Sequence, residues 1–274
     1  MSFSRRFLIL PAAIVIGVGF ILPVALLLSR SVLEPVPGLE NYVRLASNMI
    51  YLRILANTLV ISAFVTGICA VLAFPVAYTL AKSGPILRAL LSFVVIAPFW
   101  TSVLVRTFGW MVILQRQGVV NNLLLSVGLI SEPLPLIYNR FGTLVGMVQV
   151  LLPFMIFPLY SIMRRINSSY MSAAATMGAK PFRAFIRVYL PLTKPGLIGG
   201  GTLVFMMSLG FFITPVLLGG PRDAMIANLI EEQVIEFGDW GMAGTLSVAL
   251  LAATIVALVL ARKVFGVREF WGGR

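Results

Sequence analysis

Six apolar runs, each close to the length of a bilayer crossing, divide this chain: Phe7–Leu28, Asn57–Ala81, Ala89–Val105, Phe141–Met163, Gly196–Leu218 and Ala243–Ala261. An α-helix of about 20 residues spans the roughly 30 Å of bilayer hydrocarbon. Inside that layer every backbone N–H and C=O must be satisfied by the protein itself, and a long apolar run can do this only as a helix. The expected fold class is therefore all-α, a polytopic membrane protein with six transmembrane helices. Hydrophobic residues make up 59% and charged residues 11% of the 274 positions, a composition outside the range of soluble domains. No repeat, low-complexity tract or linker interrupts the pattern, so residues 1–274 read as one transmembrane domain.

The segments between the runs carry their own signals. The first run, which contains Pro11 and Pro23, is too long for a signal-peptide core, and no small-residue cleavage site follows it, so a retained span is favoured over a cleaved signal. Arg30–Ala56 is polar, holds Pro35 and Pro37, and has an amphipathic stretch over Tyr42–Leu55 suited to an external membrane surface. The second run is rich in small residues (Ser62, Ala63, Gly67, Ala70, Ala73), which permit close helix contact. Lys82–Arg88 is a tight turn through Gly84 and Pro85. The third run holds Pro98, Phe99, Trp100, Thr101 and Ser102, followed by Arg106. Polar groups and a proline there fit a helix facing a cavity, although an interfacial belt accounts equally well for Trp100 and Trp110. Phe108–Leu114 could extend this span, Gln115–Asn122 forces an exit, and Asn122–Leu129 reads as a short surface helix. The fourth run contains Pro153, Pro158 and Tyr160. The fifth opens on Gly199, Gly200 and Gly201.

The net charge of +12 is explained by topology. With a cytoplasmic N-terminus and six spans, the inside segments hold 14 of the 21 Lys plus Arg: Arg5, Arg6, Lys82, Arg88, Arg164, Arg165, Lys180, Arg183, Arg187, Lys194, Arg262, Lys263, Arg268 and Arg274. The other seven and eight of the nine acids fall outside, Glu269 being the exception. Such a bias is the positive-inside pattern, which needs no nucleic-acid partner and puts both termini in the cytoplasm.

The chemistry of an enzyme is missing. The sequence has no histidine, its single cysteine, Cys69, cannot form an intrachain disulfide, and no G-x-x-x-x-G-K-[ST] phosphate loop occurs. No metal cluster or catalytic triad can be assembled, so the chain reads as a conduit or scaffold without cofactor or metal of its own.

The longest basic, amphipathic interruption is Ser168–Pro195, preceded by Arg164 and Arg165. Ala173, Ala174 and Ala175 give a thin helical surface, Gly178 stops that helix, and Pro181 suits the first turn of a second one carrying Phe182, Phe185, Ile186 and Tyr189. Pro191 is expected to end that second helix, and Pro195 to open the next apolar run.

This loop resembles the cytoplasmic motif of permease subunits of binding-protein-dependent ABC importers, E-A-A, three residues, G, nine residues, I-x-L-P. The matching positions are Ser172, Ala173, Ala174, Gly178, Val188, Leu190 and Pro191, with Ser172 replacing the usual Glu and Val188 the Ile. Pro98–Ser102 with Arg106, Leu151–Phe154 through Tyr160, Leu218–Gly220 with Met225–Ile226, Asn228–Ile230, and Asp239–Trp240 look like the spermidine/putrescine branch of these permeases. The resemblance implies a type I importer permease fold with a coupling loop at residues 164–195, in the bacterial inner membrane. It also implies a second related permease subunit, two ATPase subunits that bind ATP and Mg, and a periplasmic binding protein. Candidate path-lining residues are Trp100, Thr101, Arg106, Tyr160 and Phe212. Asp223, Glu231, Glu232, Glu236 and Asp239 form either a docking or entrance surface or simply a solvated external helix. No Asp or Glu lies in any of the six runs, and Arg106 suits a cation poorly, which leaves an amino-acid-like or anionic solute as the alternative. A gradient-driven secondary transporter would need buried ionisable groups or inverted repeats, and neither is apparent.

Overall fold

The computed structural model describes residues 11 and 14–265. The beginning of the first run at Phe7, the basic residues Arg5 and Arg6, and Arg268, Glu269 and Arg274 lie outside the described residues. Among the described residues there are helices and no strands. In chain order they are α1 (Ile14–Leu33), α2 (Glu40–Ser47), α3 (Met49–Lys82), α4 (Pro85–Ile96), α5 (Val103–Leu114), α6 (Val119–Ser126), α7 (Arg140–Arg165), α8 (Ser169–Thr176), α9 (Pro181–Ala184), α10 (Leu190–Leu209), α11 (Ile213–Leu218), α12 (Ile226–Ile235) and α13 (Trp240–Phe265).

Four of these, α1, α3, α7 and α13, are long and apolar enough to cross a bilayer singly, and a bent pair makes a fifth crossing if it is counted as one span. That pair corrects the expected third span. Instead of running to Val105, α4 ends in a 3₁₀ turn over Ala97–Trp100, and the chain turns by 99° into the α5–α6 arm. Pro98 tightens the turn, and the Ser102 side chain caps α5 by accepting the Leu104 N–H at 3.3 Å. Phe108–Leu114 therefore follows the third run only beyond this bend. The remaining expected crossing is α10, with 20 residues. Lys194, Pro195 and three successive glycines dilute its hydropathy, so composition alone does not mark it. It also stops earlier than expected, at Leu209, before the short α11.

Two further boundaries move. The second span starts at Met49 rather than Asn57, making α3 a single helix of 34 residues. Only Glu40–Ser47 remains of the expected surface helix, with the Asn48 side chain accepting the Ile50 N–H at 2.9 Å where α3 begins. Pro191 does not end a helix either. From Pro181 the chain stays helical into α10 through a π turn, Phe185–Tyr189, closed by the Leu190 N–H on the Phe185 carbonyl. The wider turn lies where a proline ring at Pro191 would crowd the carbonyl four residues earlier, so the helix accommodates the proline.

Two compact units divide the contacts. One gathers the described residues up to Ala56 with Ile226–Ile255. Its core is Tyr51, Ile226, Met242 and Leu246, with Leu229 and Leu250 against them. Backbone of α1 lies so close to α13 that a Cβ on Gly244 would sit 2.6 Å from the Leu27 carbonyl oxygen.

The other unit holds Asn57–Met225 and the residues from Val256 onward. In it α3 buries Ile61, Val65, Cys69, Ala73 and Ala77, a four-residue spacing that keeps one narrow stripe inward. Of the small residues expected to face the bundle, Ser62 and Ala73 are buried, whereas Ala63 and Gly67 are exposed and line an open pocket with Met155 of α7 and Gly201 of α10. The most extensive helix pairing in this unit is α7 with α10. A Cβ on Gly200 would lie 2.8 Å from Met155 Sδ and 3.1 Å from its carbonyl, and one on Gly196 would lie 3.0 Å from Leu159 Cα. Glycines at this four-residue spacing bring the two backbones together.

Candidate functional site

The loop between α7 and α10 is built by a helix stop of defined geometry. Gly178 has φ +80, a left-handed conformation that a side chain disfavours. The Gly178 N–H donates to the Ala175 carbonyl at 2.9 Å, and the Ala179 N–H reaches back to the Ala174 carbonyl at 3.0 Å. This pair of bonds is the Schellman arrangement, which fixes the distance from alanine to glycine. The constraint at Gly178 is backbone conformation, because a Cβ placed there would meet nothing within 4 Å.

The seven motif positions are distributed along this structure. Ser172 and Ala173 lie exposed on α8, and Ala174 is half-buried. Ser172 Oγ donates to the Ser168 carbonyl at 3.5 Å. Val188 and Leu190 are half-buried around the π turn, and Pro191 is exposed. Beside Gly178 the chain presents large apolar side chains to solvent, with Met177 88% and Phe182 75% exposed. An apolar surface of this kind on a basic loop, with Lys180 and Arg183 also exposed, has the character of a docking face.

The candidate path residues occupy separate surroundings. Trp100 is 72% exposed at the bend, against Phe93 with ring centroids 5.8 Å apart. Thr101 Oγ1 donates to the Pro98 carbonyl at 2.8 Å. Arg106 is half-buried on α5, and its Nε is buried with no hydrogen-bond partner. Tyr160, on α7, accepts from Arg164 at 3.4 Å. Phe212 precedes α11 and is exposed. Sequence reasoning missed Gln149, on α7, whose Oε1 is likewise buried without a partner. A lone glutamine within an apolar run was the available signal.

The acids differ in environment. Asp223 is 5% exposed. Its Oδ1 accepts Arg140 Nε at 3.2 Å, and its Oδ2 accepts the Gly220 N–H at 3.1 Å. Arg140 also donates to Asn57 Oδ1, and Asn57 Nδ2 donates to the Arg222 and Ala224 carbonyls. Asp223 is thus the centre of a buried latch rather than a solvated surface acid. Close backbone approach accounts for the glycines of the Leu218–Gly220 pattern, since a Cβ on either would strike a backbone oxygen, that of Pro215 or of Tyr138. In the other unit Asp239 pairs with Arg44 at 3.0 Å and caps α13 by accepting the Met242 N–H at 2.9 Å. There the Arg30 guanidinium sits 4.9 Å from the Trp240 ring. Glu231 and Glu236 are exposed on and after α12, and Glu232 is half-buried.

Residues 70–266 match the family described as binding-protein-dependent transport system inner membrane component. The chain belongs to this family, and it is a permease subunit of a binding-protein-dependent importer in the inner membrane. It is 36% identical over 222 residues to the spermidine/putrescine transport system permease protein PotB of Haemophilus influenzae, covering 81% of this chain and 77% of that one. It is 35% identical over 247 residues to the PotB protein of Escherichia coli, covering 89% and 87%. In fold it is similar to a chain of the bacterial alginate ABC transporter crystallised with an alginate pentasaccharide-bound periplasmic protein. The TM-score is 0.78, over 99% of this chain and 96% of that one, at 18% identity.

Proposed function

We propose that this permease forms half of the translocation path for a polyamine such as spermidine or putrescine, delivered by a periplasmic binding protein. The observation that carries the substrate class is the similarity to the two PotB proteins over more than four-fifths of this chain. The second permease of the complex is a related chain, and two ATPase subunits bind ATP and Mg. Residues 168–191 dock on an ATPase subunit through Ser172, Ala173, Ala174 and Gly178, with Val188, Leu190 and Pro191 setting the helix that follows. Both termini and this loop face the cytoplasm. The chain itself has no ATPase site, and its two compact units work as one permease domain. Glu231, Glu232 and Glu236 supply acidic charge to the outer face that meets the binding protein.

Trp100, Thr101, Arg106, Tyr160 and Phe212 are assigned to the path. Arg106 favours a second reading, an anionic or amino-acid-like solute, because its half-buried guanidinium has an unpartnered Nε and no span holds an acid. Uptake into cells lacking other polyamine importers separates the two. Radiolabelled spermidine taken up only when this chain is expressed supports the polyamine reading. Uptake unaffected by spermidine competition, with a co-purified binding protein that releases an anion on unfolding, overturns it.

A further inference from the structure

Two helix irregularities lie on neighbouring segments of the second unit. One is the π turn Phe185–Tyr189 between α9 and α10. The other is Pro75 inside α3, which lacks the N–H that would bond the carbonyl one turn earlier. Aromatic rings fill the space between them. Phe185 and Tyr189 stack on one another with centroids 5.6 Å apart and planes inclined by 17°. From α3, Phe74 meets Phe185 edge-on at 5.8 Å, and Tyr78 meets Tyr189 edge-on at 5.4 Å. One turn further along, Lys82 Nζ lies 5.9 Å from the centroid of the Tyr189 ring.

The same turn also packs against α8, whose Met171 lies against the cluster containing Tyr189. The π turn therefore contacts both α8 and, through its rings, α3. Tyr189 is 2% exposed, and its hydroxyl is buried without a hydrogen-bond partner. Burying an unpaired hydroxyl is unfavourable, so what Tyr189 contributes to the packing is its ring. Close-packed interiors transmit displacement because they cannot deform continuously, and a π turn opposite a proline leaves each helix a place to bend.

We infer that Phe185 and Tyr189 are positioning residues for coupling: their stacked rings carry the movement of α8 into α3 at Pro75. This rests on the importer reading above, taken one step further: the ATPase subunit docked on this loop displaces α8 when it binds ATP. The joint is buried or half-buried, whereas the docking face is made of exposed residues, Ser172 and Ala173 on α8 with Met177, Lys180, Phe182 and Arg183 after it.

The test uses the whole importer in proteoliposomes, with its ATPase subunits, partner permease and binding protein. Two quantities are read, spermidine taken up per ATP hydrolysed and the stimulation of ATPase by the binding protein. Tyr189→Phe should match the wild type in both. Tyr189→Ala and the milder Phe185→Leu should keep basal ATPase and assembly while losing roughly tenfold in both quantities. If Tyr189→Ala does not assemble, Phe185→Leu decides. Variants that keep the wild-type ratio and stimulation, or that lose basal and stimulated ATPase in equal proportion, overturn the joint. A wild-type importer that hydrolyses ATP on stimulation but takes up no spermidine overturns the substrate reading instead, and the joint is then judged on stimulation alone.

Discussion

Asp223 has both carboxylate oxygens engaged, one by Arg140 and the other by the Gly220 N–H, in a place almost closed to water. Removing one partner of a charged hydrogen bond at such a site costs about 2 kcal/mol. Arg140→Ala should therefore lower the thermal unfolding midpoint in detergent, and Asp223→Asn should do so by a comparable amount. By contrast, Glu231→Gln on the exposed part of α12 should leave the midpoint unchanged while weakening stimulation by the binding protein. Gly178 sets a different kind of limit. A residue with a side chain at φ +80 carries roughly 1–2 kcal/mol of backbone strain. Gly178→Ala should fray the end of α8, and Gly178→Asp should reduce uptake far more than it reduces the folded fraction. Normal ATP-dependent uptake by Gly178→Asp would contradict the assigned docking role.

Among the elements, the α7–α10 pair depends on glycine. A leucine at Gly200 has no room beside Met155, and overpacking of this kind costs about 1–3 kcal/mol. Gly200→Leu should give a lower yield of folded protein, measured as the monodisperse fraction after solubilisation. Elements whose ends are set by local chemistry were legible in the sequence. Ser83, Gly84 and Pro85 end α3 and start α4 as their composition requires, and α7 lies within two residues of its apolar run. The helix stop at Gly178 was legible for the same reason. Two of the misread boundaries lie at prolines whose effect depends on the surrounding structure. Pro191 reads locally as a stop, yet the π turn before it and the packing of Tyr189 carry the helix through. Pro98 reads as part of a cavity-facing span that continues to Val105, yet the chain turns there by 99°. Asp223 reads as a surface acid because its charged partner, Arg140, is 83 residues away in the chain. The start of α3 was obscured because Arg53 looks too polar for a span, although a helix end at a membrane surface tolerates it.

For the whole molecule, charge and hydrogen bonding agree. The three ion pairs among the described residues, Arg30–Glu34, Arg44–Asp239 and Arg140–Asp223, all join residues that the charge bias assigns to the outer side. The basic residues assigned to the inner side include the exposed Lys180 and Arg183 beside the apolar face of the coupling loop, where an ATPase subunit is proposed to dock. This account makes the chain one part of a larger machine whose energy source lies in other subunits. The measurement that tests this most directly is purification from the native membrane in mild detergent followed by intact-complex mass spectrometry. The predicted mass corresponds to this chain, one related permease and two ATPase subunits, with the binding protein joining when ATP is trapped. Recovery of this chain alone, or as a simple homodimer without any ATPase while residues 168–191 are intact, would contradict the account.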